Sequence, residues 1–145
     1  MTIMIEVYTI PSNLPSRQSV SWLTENNVPF IEIKVRTNKN TLSVDQLKQF
    51  LAASENGLDD LLAFQSTAYR KFKATHDPDN MSLQQMLTAM ANDPHLIHYP
   101  LLFDRDAKLL QSGFSQDEIR VFLPRAVRTQ ELQQLLQREL LETAK

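Results

Sequence analysis

The spacing of apolar residues changes twice within the first 35 positions of the chain. Apolar side chains occupy every second position at Ile3, Ile5 and Val7, which predicts a first strand. From Asn13 onward, polar residues suited to cap a helix are followed by apolar residues at helical spacing. Residues 30–35 return to the strand pattern. A strand, a helix and a strand within about 30 residues predict a right-handed parallel unit.

The middle of the chain has helical spacing and no alternating strand pattern. Ser43 with Gln46, and Ser82 with Gln85, have the spacing of a capping box, in which two side chains satisfy free amides at a helix start. This region is therefore predicted to be entirely helical.

Two short runs at residues 100–103 and 108–111 flank a polar turn, which predicts a β-hairpin. A parallel pair and an antiparallel hairpin in one four-stranded mixed sheet form the thioredoxin-like arrangement, an α/β fold. We therefore predict a single domain over residues 1–145. Its parts are a thioredoxin-like core (1–38 and 98–128), an inserted helical subdomain (about 40–92) and a C-terminal helix (129–145).

The predicted C-terminal helix carries a stripe of five leucines on one side. Such a stripe is most often core, or a docking face against the rest of the domain. Use as a partner helix is the alternative. The stripe comprises Leu132, Leu135, Leu136, Leu140 and Leu141.

Composition narrows the function classes. The 145 residues include 15 Lys and Arg against 17 Asp and Glu, and this near-neutral balance argues against a broadly basic nucleic-acid binder. The absence of cysteine excludes thiol catalysis, disulfide exchange and thiolate metal sites in this chain. The sequence has neither a signal-peptide pattern nor 18 consecutive apolar residues. We expect a monomeric cytoplasmic protein with no membrane contact.

Residues 8–17 read Tyr-Thr-Ile-Pro-Ser-Asn-Leu-Pro-Ser-Arg. This segment resembles the first loop of the arsenate reductase-like and Spx family, which usually reads Tyr-Thr-x-Pro-x-Cys-x-x-Cys-Arg. Further segments at 55–60, 99–104 and 113–125 match the family in order and spacing, and the run Ile-Arg-x-Phe-Leu-Pro-Arg is typical of its Spx branch. The resemblance covers residues 4–128.

The resemblance implies the fold of arsenate reductases and, for the Spx branch, a non-catalytic role. Spx-like proteins bind the C-terminal domain of the RNA polymerase α subunit and redirect the polymerase at stress promoters. In most of them the cysteine pair is a redox switch. Here Asn13 and Ser16 stand in place of that pair, so the former redox pair is degenerate. Gln65 and Tyr99, both neutral, stand where reductases use oxyanion-binding arginines.

The resemblance therefore predicts a redox-independent transcription regulator without catalytic residues, cofactor or metal. Its partner is the polymerase α C-terminal domain, and promoter DNA is contacted only indirectly or weakly. Two alternatives remain: a degenerate reductase-like enzyme with altered chemistry, and a decoy that competes with an intact paralogue. Ala52 stands where a basic residue is often found in the family. The predicted partner-binding residues are Ser12, Asn13, Ser16, Arg17, Glu55, Asn56 and Gly57.

Several of these residues also have a local explanation. Asn13 and Ser16 are suited to cap a helix, and Gly57 is suited to a helix C-cap with positive φ. The resemblance implies a cis bond before Pro100, whereas trans is the default without it.

Two charged groups lie outside the predicted interface. His95 and His98 with Asp93 have a spacing that metal sites use, but Pro94 interrupts the helix that would align them, so we favour a surface segment. A second group is basic but interleaved with acidic residues, which favours a solvated face. It comprises Arg120, Arg125, Arg128 and Lys145.

Overall fold

The computed structural model of this chain describes residues 5–36, 41–115, 118–122 and 133–141. In chain order the helices and strands are β1 (Ile5–Thr9), α1 (Leu14–Glu25), β2 (Phe30–Lys34), α2 (Val44–Ala53), α3 (Leu58–Leu61), α4 (Thr67–Thr75), α5 (Leu83–Asn92), β3 (Leu101–Asp104) and β4 (Leu109–Ser112). Short 3₁₀ helices lie at Pro78–Asn80, Pro94–Leu96 and Glu118–Phe122, and residues 133–141 are helical.

The four strands form one sheet in the order β2-β1-β3-β4. β1 runs parallel to β2, with Thr9 opposite Lys34, and antiparallel to β3, with Tyr8 opposite Leu101. β4 completes the hairpin, with Ser112 opposite Leu101. The predicted four-stranded mixed sheet is therefore confirmed, and with it the thioredoxin-like arrangement.

Two hydrophobic clusters cover the two faces of the sheet, because successive side chains of a strand point to opposite faces. Ile5 and Val7 of β1 face α1 and pack with its Leu23. Tyr8 faces the other way, into a larger cluster that includes Phe50 of α2 and residues of α5. The rings of Tyr8 and Phe50 meet edge to face at 5.1 Å. The helices between β2 and β3 thus cover the face opposite α1.

Both predicted capping boxes are present. The hydroxyl of Ser43 accepts from the amide of Gln46, whose side chain accepts in return from the amide of Ser43. Ser82 and Gln85 form the same reciprocal pair at the start of α5. The sequence spacing that predicted these helix starts is confirmed at the level of individual hydrogen bonds.

The packing prediction for the leucine stripe is wrong within the described residues. Residues 133–141 are helical as predicted, but Leu135 and Leu136 are 54% and 50% exposed, and Leu140 and Leu141 are 69% and 67% exposed. A helical stripe shows that one face is apolar, but it does not show that the rest of the chain covers that face. Leu132 and the ends of the predicted helix lie outside the described residues.

The described segment directly after β4 contains one short helix. Glu118–Phe122 form a 3₁₀ helix of five residues, which is longer than most helices of this type. Within the described residues, no helix is both long and apolar enough to cross a membrane. The division of the chain into a core, an insertion and a C-terminal helix stays a prediction.

Candidate functional site

The first loop ends at Asn13, which caps α1. Its side-chain oxygen Oδ1 accepts from the amide of Ser16 at 2.9 Å and from the hydroxyl of Ser16 at 2.7 Å. Pro15 occupies the first turn, where a missing N–H costs nothing. The capping role predicted for Asn13 is confirmed, and Ser16 is the residue that it holds. The two positions that would carry cysteines in the family thus contact each other directly.

Ser12 and Arg17 flank this pair on the protein surface. Ser12 adopts a left-handed conformation with φ of 56°, and its side chain is exposed. Arg17 is exposed in the first turn of α1. Unlike Asn13 and Ser16, neither side chain is committed to the helix cap, so both are accessible to a partner.

A groove of about 450 Å³ lies between this helix start and β2. Ser12 and Arg17 form one wall, and Lys34 and Arg36 form the other. Sequence reasoning missed Lys34 and Arg36 as neighbours of Arg17. The available signal was their alternation with Val35, which is fully buried on the opposite face of the sheet.

The turn after α2 is fixed by Asp60. One oxygen of its carboxylate, Oδ2, accepts from the amide of Glu55 at 3.0 Å and from the amide of Asn56 at 2.9 Å. The other oxygen accepts from the Asn56 side chain. Glu55 and Asn56 are exposed, so their side chains lie on the surface of an ordered turn.

Gly57 is not the C-cap of α2, so that prediction is wrong. Ser54 occupies the cap, and Gly57 precedes α3 with φ of 67° and ψ of −134°. This conformation strongly favours glycine, because a Cβ clashes with the backbone there. Apart from its two neighbours in the chain, a Cβ built on Gly57 would meet only Leu51 within 4 Å, at 4.0 Å, among the described residues. The glycine is required by the backbone and leaves open space beside it.

The two predicted interface segments border separate grooves. Glu55 and Asn56 line a groove of about 390 Å³ along β4, whereas Ser12 and Arg17 line the groove at β2. β2 and β4 are the two edges of the sheet, about 14 Å apart at the usual strand spacing. A single partner domain can span this distance, since a domain of about 100 residues has a radius of gyration near 13 Å.

A cavity of about 820 Å³ lies between Asn13 at the start of α1 and Lys71 and Phe72 of α4. Asp93 also lines it, so the lining carries one carboxylate beside its one lysine. His98 lines the same cavity, and partial burial lowers its pKa below 6.5, which keeps the imidazole neutral at pH 7. The described lining therefore lacks a cluster of positive charges.

The two positions that carry oxyanion-binding arginines in reductases cannot supply such a cluster. Tyr99 is buried, and its hydroxyl donates to the carbonyl oxygen of Pro94 at 2.9 Å. Burial, and to a lesser degree the charge of Asp93, raise the pKa of Tyr99 well above its usual range, so the hydroxyl stays neutral. Gln65 is exposed ahead of α4. The bond between Tyr99 and Pro100 is cis, as the resemblance implied.

The two charged groups outside the predicted interface do not form a metal site within the described residues. Asp93 caps the segment after α5, where its Oδ1 accepts from the amide of His95 at 3.1 Å. Across the described ranges, no three His, Cys, Asp or Glu side chains are arranged to hold a metal ion. The basic group of Arg125, Arg128 and Lys145, together with the side chain of Arg120, lies outside the described residues.

Residues 8–122 match the ArsC family. The chain is 35% identical over 131 residues to the global transcriptional regulator Spx of Staphylococcus aureus strain N315. The aligned region covers 90% of this chain and 95% of that protein. The same identity and coverage hold for the global transcriptional regulator Spx of Staphylococcus haemolyticus strain JCSC1435.

Solved structures share the fold at low sequence identity. An ArsC family related protein from Bacteroides fragilis superposes with a TM-score of 0.72 at 16% identity, covering 84% of this chain and 99% of that one. An arsenate reductase from Vibrio cholerae superposes with a TM-score of 0.66 at 17% identity, covering 85% and 100%. At these identities the likeness concerns the fold alone.

Proposed function

This chain belongs to the ArsC family, and we propose that it is a transcription regulator that binds the C-terminal domain of the RNA polymerase α subunit. In this proposal the protein is not an enzyme, and its binding does not respond to thiol oxidants. Its similarity over most of its length to proteins named as global transcriptional regulators supports the regulatory role.

The observation that carries the proposal is the state of the former redox pair. Asn13 and Ser16 are engaged with each other as a helix cap, so neither side chain is poised to attack a substrate. A serine nucleophile needs an adjacent base, and the hydroxyl of Ser16 instead donates to an amide oxygen. Without cysteines the thiol chemistry is absent, whereas the cap formed by Asn13 keeps the helix start ordered, as a binding surface requires.

The charges of the cavity beside Asn13 support the same conclusion. Arsenate reduction requires convergent cations to hold a compact oxyanion. Here Lys71 shares the lining with the carboxylate of Asp93, and the hydroxyl of Tyr99 already donates to the carbonyl oxygen of Pro94. A reductase-like enzyme with altered chemistry would still need convergent cations as an anion site, and Lys71 is the only lysine or arginine of the described lining.

The turn at Gly57 supports the proposed contact with the partner. Because a Cβ at this position would enter open space, a large side chain there would project into whatever docks against the turn. Asp60 holds the amides of Glu55 and Asn56, so the turn is ordered before binding and loses little conformational entropy on association.

The test is calorimetric titration of the protein with the isolated α C-terminal domain, using Gly57→Arg and Gly57→Ala as a matched pair. Both variants place a Cβ in the same unfavourable conformation, so both lose a similar amount of stability. Only the arginine blocks a docked partner. We expect the wild type and Gly57→Ala to bind and Gly57→Arg not to bind.

Equal loss of binding in both variants would show that Gly57 acts only through the backbone. The absence of wild-type binding at about 100 μM, a free energy of only about −5.5 kcal/mol, would overturn the proposed partner. Transcription in vitro then separates a regulator from a decoy: a regulator changes promoter output alone, whereas a decoy acts only when an intact paralogue is present.

A further inference from the structure

The groove between α1 and β2 gathers positive charge from two parts of the chain. Arg17 lies in the first turn of α1, and Lys34 and Arg36 lie at the end of β2 and just beyond it. All three are exposed. Val35, which lies between Lys34 and Arg36 in the sequence, is buried, and its amide donates to the carbonyl oxygen of Thr9 at 2.7 Å. This register sets the direction of the Lys34 and Arg36 side chains.

One carboxylate lies among these cations. The hydroxyl of Thr9 donates to Oε2 of Glu32 at 3.0 Å, which holds that carboxylate at the strand. Three cations and one carboxylate leave the groove with a surplus of positive charge, although the whole chain has a net charge of −2. The N-terminus of α1 adds its partial positive charge to the same side.

We propose that this groove binds an acidic segment of a protein partner, with Lys34 and Arg36 extending the interface formed by Ser12 and Arg17. The inference rests on the proposed function for its partner and adds to it the chemistry of the contact. Complementary charge of this kind steers association and fixes orientation. It also gives the edge of the sheet at β2 a definite role in the interface, in addition to the turn at Gly57.

Protein carboxylates fit this groove better than a DNA backbone does. Duplex DNA presents about one negative charge per 1.7 Å, so it favours an unbroken row of cations. Glu32 interrupts the row here, and the net negative charge of the chain opposes approach to a polyanion. Individual carboxylates on a folded partner can be positioned to meet the cations and avoid Glu32.

The test compares Arg36→Glu with Lys48→Glu in titrations against the α C-terminal domain. Both change one exposed cation to an anion, but Lys48 lies on α2, on the opposite face of the sheet. We expect Arg36→Glu to weaken binding about tenfold and Lys48→Glu to change it less than about twofold. The wild-type affinity should fall between about 50 and 300 mM salt, and the Arg36→Glu affinity should fall less.

Arg17→Glu provides a variant that is not expected to unfold. A carboxylate in the first turn of a helix interacts favourably with the helix dipole, so this substitution should leave stability unchanged or raise it. Weaker binding by Arg17→Glu therefore reports on the contact itself. Binding that is lost in Gly57→Arg but unchanged in Arg36→Glu would overturn the acidic-segment proposal and leave the proposed function intact.

A hexaglutamate peptide and a short DNA duplex test the groove independently of the polymerase. In two-dimensional NMR spectra, the peptide should shift the amide signals of residues 12–21 and 32–36, and Arg36→Glu should abolish these shifts. Shifts of those signals by the duplex at lower concentration than by the peptide would overturn the choice of a protein partner. No shift with either probe would overturn the site.

Discussion

The side-chain oxygen of Asn13 accepts two hydrogen bonds from Ser16, one from its amide at 2.9 Å and one from its hydroxyl at 2.7 Å. In the first loop usual for the family that this chain resembles, these two positions carry the cysteines of a redox pair. In this chain, hydrogen bonds between the two residues fix the helix start, and no redox-sensitive link is possible there. The binding surface proposed at this helix start therefore does not depend on thiol chemistry.

Ser16 and Ser19 are both buried on α1 and should respond oppositely to substitution by alanine. The Ser16 hydroxyl is bonded to Asn13, so Ser16→Ala should cost about 1 kcal/mol of unfolding free energy. The Ser19 hydroxyl is buried and has no hydrogen-bond partner among the described residues, so Ser19→Ala should stabilise the protein by about 1 kcal/mol. Urea denaturation measures both changes.

The same direction of change in both variants would contradict this assignment. Because the two serines lie one helical turn apart, the general effect of serine to alanine on helix propensity is the same for each. The difference between the two variants therefore isolates the hydrogen bond.

Cysteines placed at positions 13 and 16 should make the start of α1 sensitive to thiol oxidants. In the double variant Asn13→Cys, Ser16→Cys, the first thiol lies at the N-terminus of α1, where the helix dipole lowers the pKa of a thiol. We expect an intramolecular disulfide after treatment with diamide, measured as loss of free thiols without a change in mass to a dimer. Two thiols that stay reduced would show that the helix start no longer has the geometry of the family.

His98 should make stability depend on pH in a defined direction. Partial burial lowers the pKa of its imidazole in the folded protein, whereas the unfolded chain has the ordinary value near 6.5. The unfolded state therefore binds more protons once the pH falls through 6.5, and stability decreases until the pH passes below the folded pKa. Denaturation at pH 7 and pH 5.5 should show this loss.

The control for that measurement is His98→Gln, which keeps hydrogen-bonding capacity but does not titrate. His76 and His95 remain in both proteins, so they contribute equally. An unchanged loss of stability in His98→Gln would assign the effect to another group.

Gly113 is a position where alanine should be poorly tolerated. Its φ is 72°, and an added Cβ would lie 2.7 Å from Nε2 of His98. The left-handed conformation costs about 1–2 kcal/mol for a non-glycine residue, and the contact adds to this, so we expect a loss of about 2–3 kcal/mol. A double-mutant cycle with His98→Ala separates the two causes, because only the contact is relieved. Equal losses in both backgrounds would contradict the contact.

The local parts of the fold followed from the sequence. The existence of the individual strands and the two capping boxes depend on residues a few positions apart, so spacing alone predicts them. The contact between Asn13 and Ser16 is also local, at three residues. The groove is not local: Arg17 and Arg36 line the same groove only because β2 pairs in parallel with β1 in one register.

The leucine stripe shows what hydrophobic periodicity cannot predict. Periodicity identified an apolar face, but whether a face is covered depends on the rest of the chain or on a partner, which periodicity does not encode. Gly57 shows a related limit: a glycine at a helix end has several roles, and only its backbone angles assign it to the start of α3 rather than the end of α2.

The most direct test of the central claim is the affinity of the protein for the polymerase α C-terminal domain before and after diamide treatment. Because the chain has no cysteine, the account predicts saturable binding with the same dissociation constant in both conditions. The double-cysteine variant, run alongside, reports whether the oxidant is effective. Absence of wild-type binding, or a wild-type affinity that changes with diamide, would contradict a redox-independent polymerase ligand.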